Sequence, residues 1–119
     1  MITQKDKDLL LDRCKFYLSR LHEHDRAEAH LSLAIILFKF IHGHYPPDCN
    51  GECILDHLDF KMLDSDEGIE VLRIHDETHK ITDFLTETIS LPADRKLNNY
   101  EINFYGGGLY GLLRKHFKT

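Results

Sequence analysis

Histidine and cysteine are the residue types here that could do chemistry. The chain has nine histidines in 119 residues, and His42, His44, Cys49, Cys53 and His57 fall within a span of sixteen. The spacing Cys49-x-x-x-Cys53 lies in the range used by paired zinc ligands at a turn. Tetrahedral zinc, however, draws its ligands from two chain segments, and no second Cys/His pair stands at a matching separation, so these are read as polar loop residues and no metal is expected. His75 and His79 stand four apart, which on a helix places both on one face. A metalloprotease helix needs glutamate directly after its first histidine, beside the metal-bound water. Here Asp76 follows His75 and Glu77 comes one later, so catalytic zinc is not expected either. Gly106-Gly107-Gly108, between an expected strand and an expected helix, has the layout in which backbone amides hold a phosphate, but no Gly-Lys-Ser/Thr follows and a hinge or packing turn is the plainer use. Tyr100, Phe104, Tyr105, Tyr110 and Phe117 interleave with Arg95, Lys96, Arg114, Lys115 and Lys118, as in single-strand nucleic-acid binders, although most of these aromatics are expected in the core.

Carboxylates make the other pattern. The net charge is only −5, yet residues 48–94 carry thirteen Asp/Glu against three Lys/Arg, while residues 95–119 carry one against five. An acidic middle of this density repels nucleic acid and speeds association with a basic surface, or simply forms a solvated face.

The elements that must position these groups follow from length and periodicity. With 42% hydrophobic and 29% charged residues, the chain reads as one globular domain spanning residues 1–119, long enough to bury a core without disulfide or metal staples. The longest apolar run, Leu31 to Ile41, contains Ser32 and Lys39 and falls short of the ~18–20 residues that span a bilayer. The mixed charges Lys5, Asp6, Lys7 and Asp8 are unlike a signal peptide, and Cys14, Cys49 and Cys53 cannot all pair in one chain, so a cytoplasmic protein with reduced thiols is expected. Leu10, Cys14, Tyr17, Leu18 and Leu21 recur at helical spacing and predict an amphipathic helix over residues 5–22. Asp25 and Glu28 form a capping-box pattern before a second, almost wholly apolar helix, Ala29 to Ile41, which Gly43 stops. His44 to Gly51, with Pro46, Pro47 and Asn50-Gly51, is the main loop.

In the middle two readings compete. Leu58, Phe60 and Met62 alternate with polar residues, Asp64 to Gly68 is turn chemistry, and Ile69, Val71 and Arg73 alternate again, which predicts a β-hairpin. One long helix from Asp64 to Ile89 is the other reading, disfavoured by the propensities of Val71, Ile74, Thr78, Ile81 and Thr82. A helix over residues 76–90, a strand from Tyr100 to Tyr105 and a closing helix from Leu109 to Phe117 complete the reading.

Two resemblances bear on function. Arg73 to His79 resembles the Arg-x-x-x-x-x-His motif of HEPN-type ribonucleases, helical domains in which such a pair cleaves RNA, although Ile74 follows the arginine and the surroundings are acidic. Ala93-Asp94-Arg95, Asn99-Tyr100-Glu101-Ile102 and Leu109 to Phe117, about a fifth of the chain, resemble the C-terminal part of colicin D-type immunity proteins. Those are small acidic cytoplasmic inhibitors of bacterial tRNase toxins, and the resemblance implies a protein without catalysis that sets carboxylates against a basic nuclease cleft.

The expectation is therefore an α+β fold, helix-rich with a small antiparallel sheet, an all-α bundle being the alternative. Its function is that of a bacterial inhibitor that neutralises a basic protein partner, most concretely an immunity protein blocking a nuclease toxin. Asp59, Asp64, Asp66, Glu67, Glu70, Asp76 and Glu77 are the expected contact residues, with no catalytic residue, metal, cofactor, membrane or direct nucleic-acid partner. A HEPN-type RNase using Arg73 and His79, or a phosphate or nucleic-acid binding module using the glycines and the basic tail, are the alternatives, and a phage inhibitor of host defence would share the same properties.

Overall fold

Thr3 and Asp6 start the first helix reciprocally. The Asp6 amide donates to the Thr3 hydroxyl at 3.1 Å and the Thr3 amide to the Asp6 carboxylate at 3.2 Å, a capping box that satisfies two otherwise orphaned donors. From there α1 runs Gln4–Ser19 and buries Leu10, Cys14, Tyr17 and Leu18 along one stripe. Helix α2, Arg26–His42, is buried on nearly every side from Ala29 to Phe40 and supplies the centre of the core. Gly43, at φ 83°, ends it by donating its amide to the Lys39 carbonyl at 2.8 Å, the left-handed cap that a residue without Cβ makes at least cost. Helix α3 spans Asp66–Thr88 and α4 spans Asn99–Phe117. Asn98 caps α4: its side-chain oxygen accepts the Glu101 amide at 2.8 Å, and the Glu101 carboxylate accepts both the Asn98 amide and a two-pronged bond from Arg95. The structure, a computed structural model, describes residues 2–22, 26–46, 66–88 and 95–117, with only the backbone of Arg26, Ala27, Glu28, Glu67 and Thr88.

Contacts along the helices give the topology. Asp6 meets Lys39 while Tyr17 meets His30, so α1 and α2 are antiparallel. His42 meets Glu70 while His30 meets Thr82, which makes α2 and α3 antiparallel as well. α4 closes the bundle against α1 and, more lightly, against α3. Leu109 and Leu113 of α4, Val71, Ile74 and Leu85 of α3, and the stripes of α1 and α2 form one hydrophobic cluster. No described helix is long and apolar enough to cross a membrane.

This architecture overturns the α+β expectation: the described residues contain no strand, and the arrangement is a four-helix bundle. Ile69, Val71 and Arg73, expected as one arm of a hairpin, all lie in the first turns of α3. The other arm, Leu58 to Met62, and the start of the turn, Asp64, lie outside the described residues. What decides α3 is the 3.6-residue period of Val71, Ile74, Thr78, Thr82 and Leu85, all buried, while Ile69 is left 57% exposed. The two threonines count against a helix by propensity, but each hydroxyl donates to a carbonyl in the preceding turn, Thr78 to Ile74 at 2.7 Å and Thr82 to His79 at 3.0 Å. Their burial therefore leaves no orphaned hydroxyl, and packing against α2 outweighs a per-residue deficit of a few tenths of a kcal/mol. Tyr100 to Tyr105, expected as a strand, is the first part of α4, and Gly106 to Gly108, expected as a loop, lies inside that helix.

The three glycines are not equivalent. Gly106 is buried at the closest approach of α4 to α1, where a Cβ would lie 2.7 Å from Lys15 Cγ, whereas nothing stands within 4 Å of a Cβ at Gly107 or Gly108. Alanine at either exposed position is expected to raise stability by up to about 1 kcal/mol, the helical advantage of alanine over glycine. Gly106→Ala is expected to forfeit that gain by displacing Lys15 close to its backbone. Urea unfolding of the three single variants checks the contrast, and equal gains at all three positions would show that Gly106 is not a packing contact.

Candidate functional site

The acidic residues that α3 carries divide into two kinds. Glu70 accepts hydrogen bonds from Arg73 one turn on and lies 3.3 Å from His42 Nε2; the Arg73 guanidinium, with His42, holds its carboxyl below the usual range against an opposing effect of burial. Glu77 accepts Lys80 at 3.1 Å and lies 3.0 Å from His116 Nε2, and these partners, Lys80 first, lower its pKa in the same way. Both therefore tie the helices together. Asp66 and Asp76 are free to meet something else: Asp66 is exposed with no ion pair among the described residues, and the Asp76 side chain is 80% exposed, touching only His75 at 3.9 Å. Glu67 lies on α3, its side chain undescribed, and Asp59 and Asp64 fall outside the described residues. Together α3 bears seven Asp/Glu against two Lys/Arg. Ile69 and Leu72, 57% and 43% exposed, lie on the same outward stripe as Asp76 and Asp83.

Sequence reasoning missed the most unusual side chain in the bundle. His30 on α2 is 5% exposed, and its ring packs against Tyr17 of α1 and against His75 and His79 of α3, with centroids 5.5, 4.4 and 5.0 Å away. Thr82 Oγ1, which can donate to the His79 carbonyl at 3.0 Å, sits 3.3 Å from His30 Nε2, a hydrogen bond between the hydroxyl and the buried imidazole. Its Nδ1 is buried without a hydrogen bond among the described residues. Burial, with the positive charge His75 and His79 would add, pushes the His30 pKa down to about 3, and burial also lowers that of His75. A histidine so strongly held neutral is a packing group with one hydrogen bond, and it is a poor general base near neutrality. The only sequence signal for it was a histidine inside an apolar helix.

His75 and His79 do share a helical face, since no strand ends between them. Their rings and that of His30 meet tilted and edge-on, and no group of three His, Cys, Asp or Glu among the described residues is arranged to hold a metal. Cys49, Cys53 and His57 lie outside the described residues. The Arg73 and His79 pair shows no common focus: six positions on an α-helix differ by roughly 120° around the axis, Arg73 is taken by Glu70 and His79 lies 3.0 Å from Asp83. Phosphate binding by Gly106 to Gly108 loses its basis, because amides in the middle of α4 are spent on the helix's own carbonyls.

Compared with protein-family models, curated proteins and solved structures, the chain matches none.

Proposed function

We propose that this chain is a protein-binding module that neutralises a basic partner through the outward face of α3, most concretely a nuclease toxin whose phosphate-binding cleft it blocks. The observation that carries the reading is the outward stripe of α3, where the largely exposed Asp76 carboxylate stands with exposed Ile69 and Leu72, and exposed Asp66 lies at the edge of that stripe near the start of the helix. Carboxylates steer and orient a basic cleft, while apolar side chains flanked by charge provide the area whose desolvation holds a complex together. Glu70 and Glu77 lend their field to the same face but are already held by Arg73, Lys80 and two histidines, so they are expected to contribute less than Asp66 and Asp76. Asp59, Asp64 and Glu67 remain part of the proposed contact on charge alone.

The experiment is binding of the neighbouring gene product, expressed as a candidate toxin, across a range of salt. Wild-type association is expected to slow steeply with ionic strength while dissociation changes little. Reversing Asp66 and Asp76 to lysine together is expected to weaken binding by at least about tenfold with the fold retained, because exposed charges contribute little to stability. Binding without salt dependence, or equal binding by the double reversal, would defeat the reading. Ribonuclease activity of the isolated protein that vanishes in His79→Ala would replace it with an enzymatic one.

A further inference from the structure

Where the C-terminal half of α3 lies beside that of α4, the bundle leaves an open cleft of about 490 Å³ lined by Lys80, Ile81, Phe84, Leu112, Lys115 and His116. Its volume falls within the ~300–1,000 Å³ of ordinary small-molecule sites. The cleft lies between α3 and α4, which pack together more lightly than α1 packs against α2 or α4. Ile81 and Leu112 are partly buried and rest on the core, so they form a fixed apolar floor. Phe84 stands beside them with 51% of its surface exposed, leaving apolar area open to an occupant.

Among the described residues, the polar groups lining this floor are Lys80, Lys115 and His116. Lys80 and His116 are held in place by one shared carboxylate, Glu77, at 3.1 and 3.0 Å. Lys115 has no ion pair or hydrogen bond among the described residues. Two lysines, Lys80 on the otherwise acidic α3 and Lys115 on α4, stand against the one carboxylate, Glu77, and leave an excess of positive charge without any contribution from His116. Among the described residues the lining holds no amide and no hydroxyl side chain to read the hydrogen-bonding edge of a base, sugar or peptide. The occupant this chemistry fits carries one anionic head and an apolar body that asks for no further hydrogen bonds.

We propose that the α3–α4 cleft binds a fatty-acyl carboxylate, its head among Lys80, Lys115 and His116 and its chain over Ile81, Phe84 and Leu112. Glu77, which holds Lys80 and His116, also belongs to the acidic contact set, but Lys115 and Phe84 do not, so variants at those two positions test the cleft separately from the partner-binding face.

Decanoate, kept below its micellar concentration, is the probe, with decanol as its uncharged match, and binding is read by NMR chemical-shift titration of the full chain. Saturable shifts confined to the six lining residues and their neighbours are expected, with decanol at least about tenfold weaker. Lys115→Glu, at an exposed position, and Phe84→Ala are each expected to weaken decanoate binding by about fivefold or more while leaving the rest of the spectrum folded. No saturable shift, shifts elsewhere, equal affinity for decanol, or unchanged binding in both variants would overturn the proposal. A third arm uses vesicles of phosphatidylglycerol and phosphatidylcholine: cosedimentation with vesicles without binding of monomeric decanoate would assign the cleft to a lipid surface and likewise overturn it.

Discussion

Lowering the pH from 7 to 4.5 is expected to destabilise the protein by about 2–3 kcal/mol through His30 alone, whose pKa in the fold is about 3. An unfolded histidine titrates near 6.5, so between that value and the folded one the unfolded chain binds a proton that the native protein refuses. Stability is therefore intact above pH 6.5 and falls by roughly 1.4 kcal/mol per unit below it, until the folded ring itself protonates. The groups that face the ring do not reverse this: His75 and His79 would only add like charge, and Tyr17 and the Thr82 hydroxyl carry no negative charge to stabilise a protonated ring. His75, itself lowered, adds to the loss in the same direction. Asp6, Glu70, Glu77 and Glu101 all have lowered carboxyl pKa values, so their stabilisation is present above the unfolded carboxylate range and is lost mainly below pH 4.5. Urea unfolding of wild type and His30→Leu at the two pH values isolates the effect. The leucine variant is expected to lose most of the pH dependence, and it leaves no stranded donor, because Thr82 still donates to the His79 carbonyl. An equal loss in both proteins would show that the buried ring is not its source.

Ile74→Ala is expected to cost about 2–5 kcal/mol, while Ile69→Ala, five positions earlier, should stay within about 0.5 kcal/mol of wild type. Ile74 is 0% exposed in the cluster that joins α3 to the rest of the core, and truncating it removes buried methyl and methylene groups and opens a cavity the bundle only partly closes. Ile69 is 57% exposed and already hydrated. The pair also distinguishes the two backbone conformations: in a hairpin Ile69 and Val71 would share a buried face, and Ile69 would be as costly to truncate as any strand residue. Denaturant midpoints of the two variants give the answer, and comparable losses at both positions would contradict the helical register of α3. On the proposed function, Ile69→Ala should instead weaken partner binding, so a variant neutral in stability becomes informative in affinity.

The first half of the fold was legible because every local signal agreed. In α1 and α2 the period of the apolar residues and the stop at Gly43 point to the same boundaries within a few residues, although the structure starts α1 at Gln4, capped by Thr3, and ends it at Ser19. Past Asp66 the signals conflict. Ile69, Leu72, Phe84, Tyr100 and Phe104 are large, apolar and exposed, so the hydrophobic pattern of α3 and α4 no longer maps onto burial and can be read as alternation. Thr78, Thr82 and the run of glycines add propensity against the helices that form. The acidic bias of the middle was legible as composition; its division into tied carboxylates, Glu70 and Glu77, and free ones, Asp66 and Asp76, was not, because the partners that tie them include His42 and His116, far away in the chain.

By itself, then, the sequence determined what depends on residue type and near neighbours: two helices with their polarity, a charge imbalance concentrated in one segment, and the absence of an apolar run long enough for a bilayer. Only the tertiary structure decided that the acidic segment contributes a helix rather than a hairpin, that Gly106 is a helix contact, and that His30 is locked neutral against His75 and His79. Local preferences differ by less than about 1 kcal/mol per residue, whereas burying a side chain such as Ile74 contributes about 1.5–3 kcal/mol, so the choice falls to whichever conformation presents one continuous buried face to α2.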